Sequence, residues 1–219
     1  TTTTVSNNTI ASVSMTGVTS SGTSTSSPFA AMILQEGVFV SNGNTIGSQS
    51  ATGSLNFATN TTTATDAYGI YNFSSNTWTS NTNNIGGFNV ANTGSGTLIL
   101  YLLRANTATT TTWTATGNNI GGTVANSIAL NATGTSSQVV GMFTSNAPMT
   151  FTSNTVRNMV TNVGTGTTTS ASMIGIMSTS TSANNISQCS IYNLSNTNTT
   201  AASVVTGLQF SGSSANSVT

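Results

Sequence analysis

Thr77-Trp78-Thr79-Ser80-Asn81-Thr82-Asn83-Asn84-Ile85-Gly86-Gly87 returns, 35 residues on, as Thr112-Trp113-Thr114-Ala115-Thr116-Gly117-Asn118-Asn119-Ile120-Gly121-Gly122. The centre of this phrase recurs along the chain as Asn8-Thr9-Ile10, Asn44-Thr45-Ile46 and Asn154-Thr155-Val156, with a degenerate copy at Cys189-Ser190-Ile191. The anchors Ile10, Ile46, Ile85, Ile120, Val156 and Ile191 are separated by 36, 39, 35, 36 and 35 residues. Asn184-Asn185-Ile186 is the closer literal match, but it breaks the spacing, so Ile191 is the sixth anchor. A fixed period of this length marks a repeat architecture, in which each unit covers the apolar face of the next.

The flanks keep the same period. Seven residues before the anchor stand Phe39, Trp78, Trp113 and Met149. Three residues after it stand Val13, Phe88, Met159 and Leu194, with Gln49 and Thr123 as exceptions. A Gly-apolar pair also recurs, as Gly37-Val38, Gly69-Ile70, Gly141-Met142, Gly175-Ile176 and Gly207-Leu208. The coil from Ile85 to Ile120 carries the run Leu98 to Leu103 instead.

Thr, Ser, Asn, Gly and Val disfavour helix, because they stiffen the side chain, compete for backbone hydrogen bonds or free the backbone. Apolar residues alternate or come in short runs such as Val38-Phe39-Val40, which is strand periodicity. Leucine-rich repeats need a denser Leu frame, and propeller blades need Gly-His and Trp-Asp signals that this chain lacks. The fold class is therefore all-β: a parallel β-helix, or solenoid, of about six coils with roughly 36 residues in each. Residues 1–219 form a single β-helix domain, expected to be a segment of a longer repeat protein. Variable stretches, Thr19 to Ser27, Ala51 to Thr65, Thr161 to Ser170 and Ser195 to Ser203, read as surface loops.

Composition excludes much chemistry. The chain holds two cations, Arg104 and Arg157, two anions, Glu36 and Asp66, and no His. Hydrophobic residues nevertheless make up 36% and recur in phase, which favours order over low-complexity disorder. Two arginines cannot displace counterions from a nucleic acid, so no nucleic-acid partner is expected. The longest apolar run has six residues, Leu98 to Leu103, too short for a membrane-spanning helix. The two carboxylates fall at different places in their coils, so no glycosidase pair is implied. With no His or Lys to activate a Ser, and one cysteine, neither nucleophilic catalysis nor a zinc site is expected. The chain is read as not an enzyme and as needing no cofactor.

Coils stacked about 4.8 Å apart place equivalent Asn side chains above one another. Asn8, Asn44, Asn83, Asn118 and Asn154 can then form an amide ladder, each donating to the next. The same residues also favour turns on their own account. Cys189 interrupts the series. Two surface uses remain open. Thr tracts, Thr61, Thr63 and Thr65 with Thr112, Thr114 and Thr116 (within Thr109 to Thr116), are a candidate ice-ordering face. Phe39, Trp78 and Trp113 are a sugar platform only if their rings are exposed.

The phrases Asn44-Thr45-Ile46-Gly47-Ser48, Asn119-Ile120-Gly121-Gly122-Thr123 and Ile191-Tyr192-Asn193-Leu194-Ser195-Asn196 resemble the long β-strand-repeat regions of very large secreted surface proteins of the Bacteroidetes. Those proteins carry a type IX secretion sorting domain. The resemblance spans nearly the whole chain and implies a right-handed β-helix exported to the cell surface or the medium. It brings no catalytic residues with it. The functional expectation is a non-catalytic structural or adhesive segment that forms a stalk or filament. Its expected partners are neighbouring copies or adjacent repeats, and surface glycans. Ice binding and carbohydrate binding are the alternatives.

Overall fold

A computed structural model describes residues 1–106, 111–164, 171–199, 201–212 and 215–219. The regular secondary structure of the described residues is short strands, apart from one 3-10 turn at Ser24–Ser26, and every pairing between the strands is parallel and one coil apart. They stack as a β-solenoid of about six turns.

One coil illustrates the path. Trp78–Asn81 lies in a first sheet, Asn83 turns the corner, and Asn84–Ile85 and Phe88–Asn92 lie in a second sheet. After another turn Leu98–Ala105 lies in a third sheet, and the chain returns to the first at Trp113–Thr116. Alternation sends Trp78 and Ser80 inward and Thr79 and Asn81 outward, as the strand period of two requires.

The register stacks like on like. Ile10 pairs with Ile46, Ile46 with Ile85, Ile85 with Ile120, Ile120 with Val156, and Val156 with Ile191. Ile46, Ile85, Ile120 and Val156 have no solvent exposure, whereas Ile10 and Ile191 in the end coils are half-buried. Ile186 pairs with Phe151 in the first sheet, which gives the anchor place in the last coil to Ile191. One continuous core runs from Phe29 to Ile186. In it Trp78 and Trp113 stack with ring centroids 4.7 Å apart and 11° between planes, and each indole N–H donates to a serine one coil back, Ser41 and Ser80. Burying such rings contributes on the order of 2–3 kcal/mol each.

Two sequence irregularities have structural causes. Gln49 and Thr123 stand where an apolar residue was due because loops are inserted there. The inward position is taken up by Leu55 and Ile128, which pair in series with Val13, Phe88 and Met159. The stretch Ala51 to Thr65, read as a loop, therefore contains the strand Leu55–Thr59. The Gly-apolar signal proves to be two signals. Gly69, Gly141, Gly175 and Gly207 share one place in the third sheet, while Gly37 leads into the first sheet at Val38. The first coil's counterpart is Ala31, within Phe29–Leu34.

The third-sheet glycines mark a stacked irregularity. Residues on both sides of this place keep register, yet Leu102 and Leu103 both belong to the core, so one extra residue sits inside the strand. A Cβ on Gly69 would come 2.4 Å from the Leu102 carbonyl oxygen, and one on Gly141 2.5 Å from that of Gly175. The strand's outward phase is shifted by this extra residue.

Candidate functional site

The corner between the first and second sheets carries the asparagine column. Nδ2 of Asn8 donates to Oδ1 of Asn44 at 3.0 Å, Asn44 to Asn83 at 2.9 Å, Asn83 to Asn118 at 2.9 Å, and Asn118 to Asn154 at 2.9 Å. The second Nδ2 hydrogen of Asn44, Asn83, Asn118 and Asn154 reaches back to the carbonyls of Val5, Ser41, Ser80 and Ala115. Each Oδ1 also accepts the backbone N–H of the Asn one coil earlier. Both amide hydrogens and both lone pairs are used, which is what burial of a polar side chain demands. Asn44, Asn83, Asn118 and Asn154 are fully buried.

Cys189 ends the column. The Asn154 amide donates to its Sγ at 3.7 Å, a weak acceptor. Cys189→Asn is expected to raise stability by about 1 kcal/mol. The new Oδ1 accepts from Asn154, and the new Nδ2 meets the Phe151 carbonyl by the rule of the other rungs. Thermal unfolding checks this, with a rise of about 2–4 °C expected; an unchanged or lower midpoint would show that the column gains nothing from a further rung.

The candidate threonines separate into two groups. Thr61 and Thr65 are buried, and their hydroxyls meet each other at 3.2 Å within a corner, so they cannot face ice. Thr63 between them is exposed, and the Thr61 hydroxyl is bonded to its carbonyl. Thr112 lies half-buried just before Trp113–Thr116, while Thr114 and Thr116 point out from the first sheet. There the register builds one column from Val40, Thr79, Thr114 and Thr150, and a second from Asn42, Asn81, Thr116 and Thr152. Thr109 and Thr110 lie outside the described residues. Trp78 and Trp113 have no exposure and Phe39 has 7%, which removes the ring platform.

A cluster on the outer side of the third sheet escaped the sequence reading. The phase shift at Gly69 and Leu102 turns Tyr68, Tyr71, Tyr101, Arg104 and Phe143 to one face. The Arg104 guanidinium carbon lies 4.5 Å from the Tyr101 ring centroid, 5.0 Å from Tyr71, 5.5 Å from Tyr68 and 5.6 Å from Phe143. Its Nη1 donates to Asp66 Oδ2 at 3.1 Å and to the Tyr68 hydroxyl at 2.8 Å, and that hydroxyl donates to the same carboxylate. A strap over the cluster adds the Ser24 N–H, which donates to the Tyr68 hydroxyl at 3.0 Å. Two of the four charges in the chain thus neutralise each other beneath aromatic rings. Asp66 and Arg104 are 38 residues apart, one coil and a few positions, so the signal was present as a near-period pair of opposite charges.

Burial works against the Arg104 charge, but Tyr101, Tyr68, Tyr71 and Asp66 around it hold its pKa above the ordinary arginine value. Burial raises Tyr68 strongly, aided by its bond to Asp66. Burial pushes Tyr101 up to about 12. The Tyr68 phenol donates its hydrogen bond to Asp66, and neither phenol is poised as a base. They also predict an alkaline weakness. A tyrosine free in the unfolded chain ionises near pH 10, so below that pH its contribution is complete. Above it the unfolded chain releases protons that the folded chain withholds, and stability falls by about 1.4 kcal/mol per pH unit per tyrosine until the folded pKa is reached. Melting at pH 9 and pH 11 should show a large drop that Tyr101→Phe reduces. Equal melting at both values would contradict the burial argument.

Among the described residues, no three of His, Cys, Asp and Glu gather in one place, and Glu36 is exposed. No helix among them is long and apolar enough to cross a membrane. No family model, curated protein or solved structure matches this chain.

Proposed function

We propose that the chain is a non-catalytic structural segment of an exported surface protein, a stiff spacer in a stalk or filament. The observation that carries this reading is the column of buried, fully bonded asparagines through four successive coils, beside one continuous core. Such stacking makes length proportional to the number of coils, and each coil is held only by its neighbours. A neutral surface of hydroxyls and amides suits close packing against further repeats or other copies, because no like charges repel. The resemblance to secreted repeat proteins supplies the expectation of a cell-surface or extracellular place. Small-angle scattering of the segment, and of two segments joined in tandem, tests the spacer role. The longest dimension is expected to grow by roughly 30 Å per segment, six coils at about 4.8 Å. A tandem that scatters as two loosely tethered bodies would overturn it.

The outward columns of the first sheet favour a second reading, ice binding. Thr79, Thr114 and Thr150 stand one coil apart, and Thr116 and Thr152 stand beside them at alternate positions of the same strands. The array repeats at about 4.8 Å along the stack and about 6.7 Å along each strand. Its test is thermal hysteresis and ice-crystal shaping in dilute solution; if neither occurs, this reading is lost and the spacer reading stands.

A further inference from the structure

A groove on the outer side of the second sheet runs along the solenoid axis. Its floor is an outward column in strict register, Asn89, Ala129, Val160 and Ser195, one residue from each of four successive coils. Its wall is the corner that precedes those strands, where Gly87, Asn126, Asn158 and Asn193 all adopt the left-handed conformation, continued by Gly53 one coil earlier. Two concavities of about 390 and 240 Å³ adjoin there and share Ala125 and Asn126. Four coils give a length of roughly 19 Å.

The chemistry of the groove is neutral and amide-rich. Nδ2 of Asn193 donates to Asn158 Oδ1 at 3.0 Å, and Nδ2 of Asn89 donates to Asn56 Oδ1 at 3.0 Å, which leaves Oδ1 of Asn193 and Oδ1 of Asn89 to accept from a visitor. The Asn126 side chain is exposed and makes no hydrogen bond among the described residues, so it offers both a donor and an acceptor. Between these amides the floor presents the methyl groups of Ala129 and Val160. No charged side chain lines either concavity. The neighbouring Arg157 is held elsewhere, with Nη1 on the Tyr192 hydroxyl at 2.8 Å and Nε toward the Gly121 carbonyl at 3.4 Å.

We propose that this groove binds an extended, uncharged polysaccharide strand laid along the solenoid axis. A hydroxyl both donates and accepts, so it matches amide groups that offer both, and the C–H faces of sugar rings match the Ala129 and Val160 floor. The missing cation disfavours acidic glycans and other polyanions. An extended peptide fits less well, because the floor strands run across the axis and their backbone groups are already paired between coils. This site does not depend on the spacer role.

Calorimetric titration of the whole chain with cellohexaose, laminarihexaose and maltohexaose tests it, with an oligogalacturonate and a neutral Gly-Ser peptide as competing classes. At least one neutral hexasaccharide should bind, with an affinity unaffected by salt. Asn126→Gly keeps the left-handed backbone while removing the amide, and should weaken binding about tenfold. Ala129→Trp fills the floor from the outside and should abolish binding while melting normally. The proposal is overturned if no neutral hexasaccharide binds, if both variants bind as the parent does, or if the acidic oligomer or the peptide binds more tightly.

Discussion

Replacing Asn118 with alanine is expected to lower stability by about 3–5 kcal/mol, a loss of about 10–15 °C in the melting temperature for a chain of this size. The side chain is fully buried. It accepts from the backbone N–H of Asn83 at 3.0 Å and from Asn83 Nδ2 at 2.9 Å, and it donates to the Ser80 carbonyl at 2.8 Å and Asn154 Oδ1 at 2.9 Å. Truncation strands two donors of Asn83 and the Ser80 acceptor in a site that water cannot enter, and each stranded group costs about 1–3 kcal/mol. Asn119 is the control. It follows Asn118 in sequence but points outward, half-buried, with a single side-chain bond to Asn84 Oδ1 at 3.1 Å. Asn119→Ala should cost under about 1 kcal/mol. If the two variants melt together, the buried column is not a stabilising feature.

Gly121→Ala should be comparably harmful for a different reason. Gly121 has φ of +83°, and an added Cβ would stand 1.7 Å from the Arg157 carbonyl oxygen of the next coil. The left-handed conformation costs a non-glycine residue about 1–2 kcal/mol. Forcing the coils apart adds about 1–3 kcal/mol or more, because the stack cannot open at one corner without straining the pairs of Asn119 with Thr155 and Ile120 with Val156. Gly117 separates the two contributions. Its φ is +65°, but an added Cβ meets nothing nearer than Thr82 Cγ2 at 3.6 Å. Gly117→Ala should therefore show the backbone cost alone. Denaturant midpoints of the two variants, with soluble yield as a second readout, decide the matter. Equal midpoints would mean that the close approach at Gly121 is absorbed without cost.

The two glycines look alike in sequence, and only the neighbouring coil distinguishes them. The same holds for the threonines. Thr61 and Thr114 each sit in a Thr-rich tract, yet one closes a corner and the other faces outward. A tract shows composition, while facing depends on the strand phase at that residue. Phase was readable where alternation ran unbroken from an anchor, as at Trp113-Thr114-Ala115-Thr116. It was unreadable where a loop intervened, as before Leu55, or where an extra residue entered the strand, as at Gly69. The Arg104 cluster lies beyond such an irregularity, and its members come from strands of three successive coils.

What the sequence determined by itself is neighbourhood between coils. Residues one period apart must meet when identical units stack, so the stacking of the anchors, of the column asparagines and of Trp78 on Trp113 follows from spacing, whereas the bonding of those asparagines to one another was only one of two readings it allowed. What only the tertiary structure decided is the side to which each residue turns and what covers it. The direction of a side chain in a strand reverses with every inserted residue, and insertions are tolerated or not according to the packing of the coils above and below. The caged Arg104, the buried Thr61 and Thr65 and the amide groove over Ala129 all arise from that local phase, which no count of residues between anchors contains.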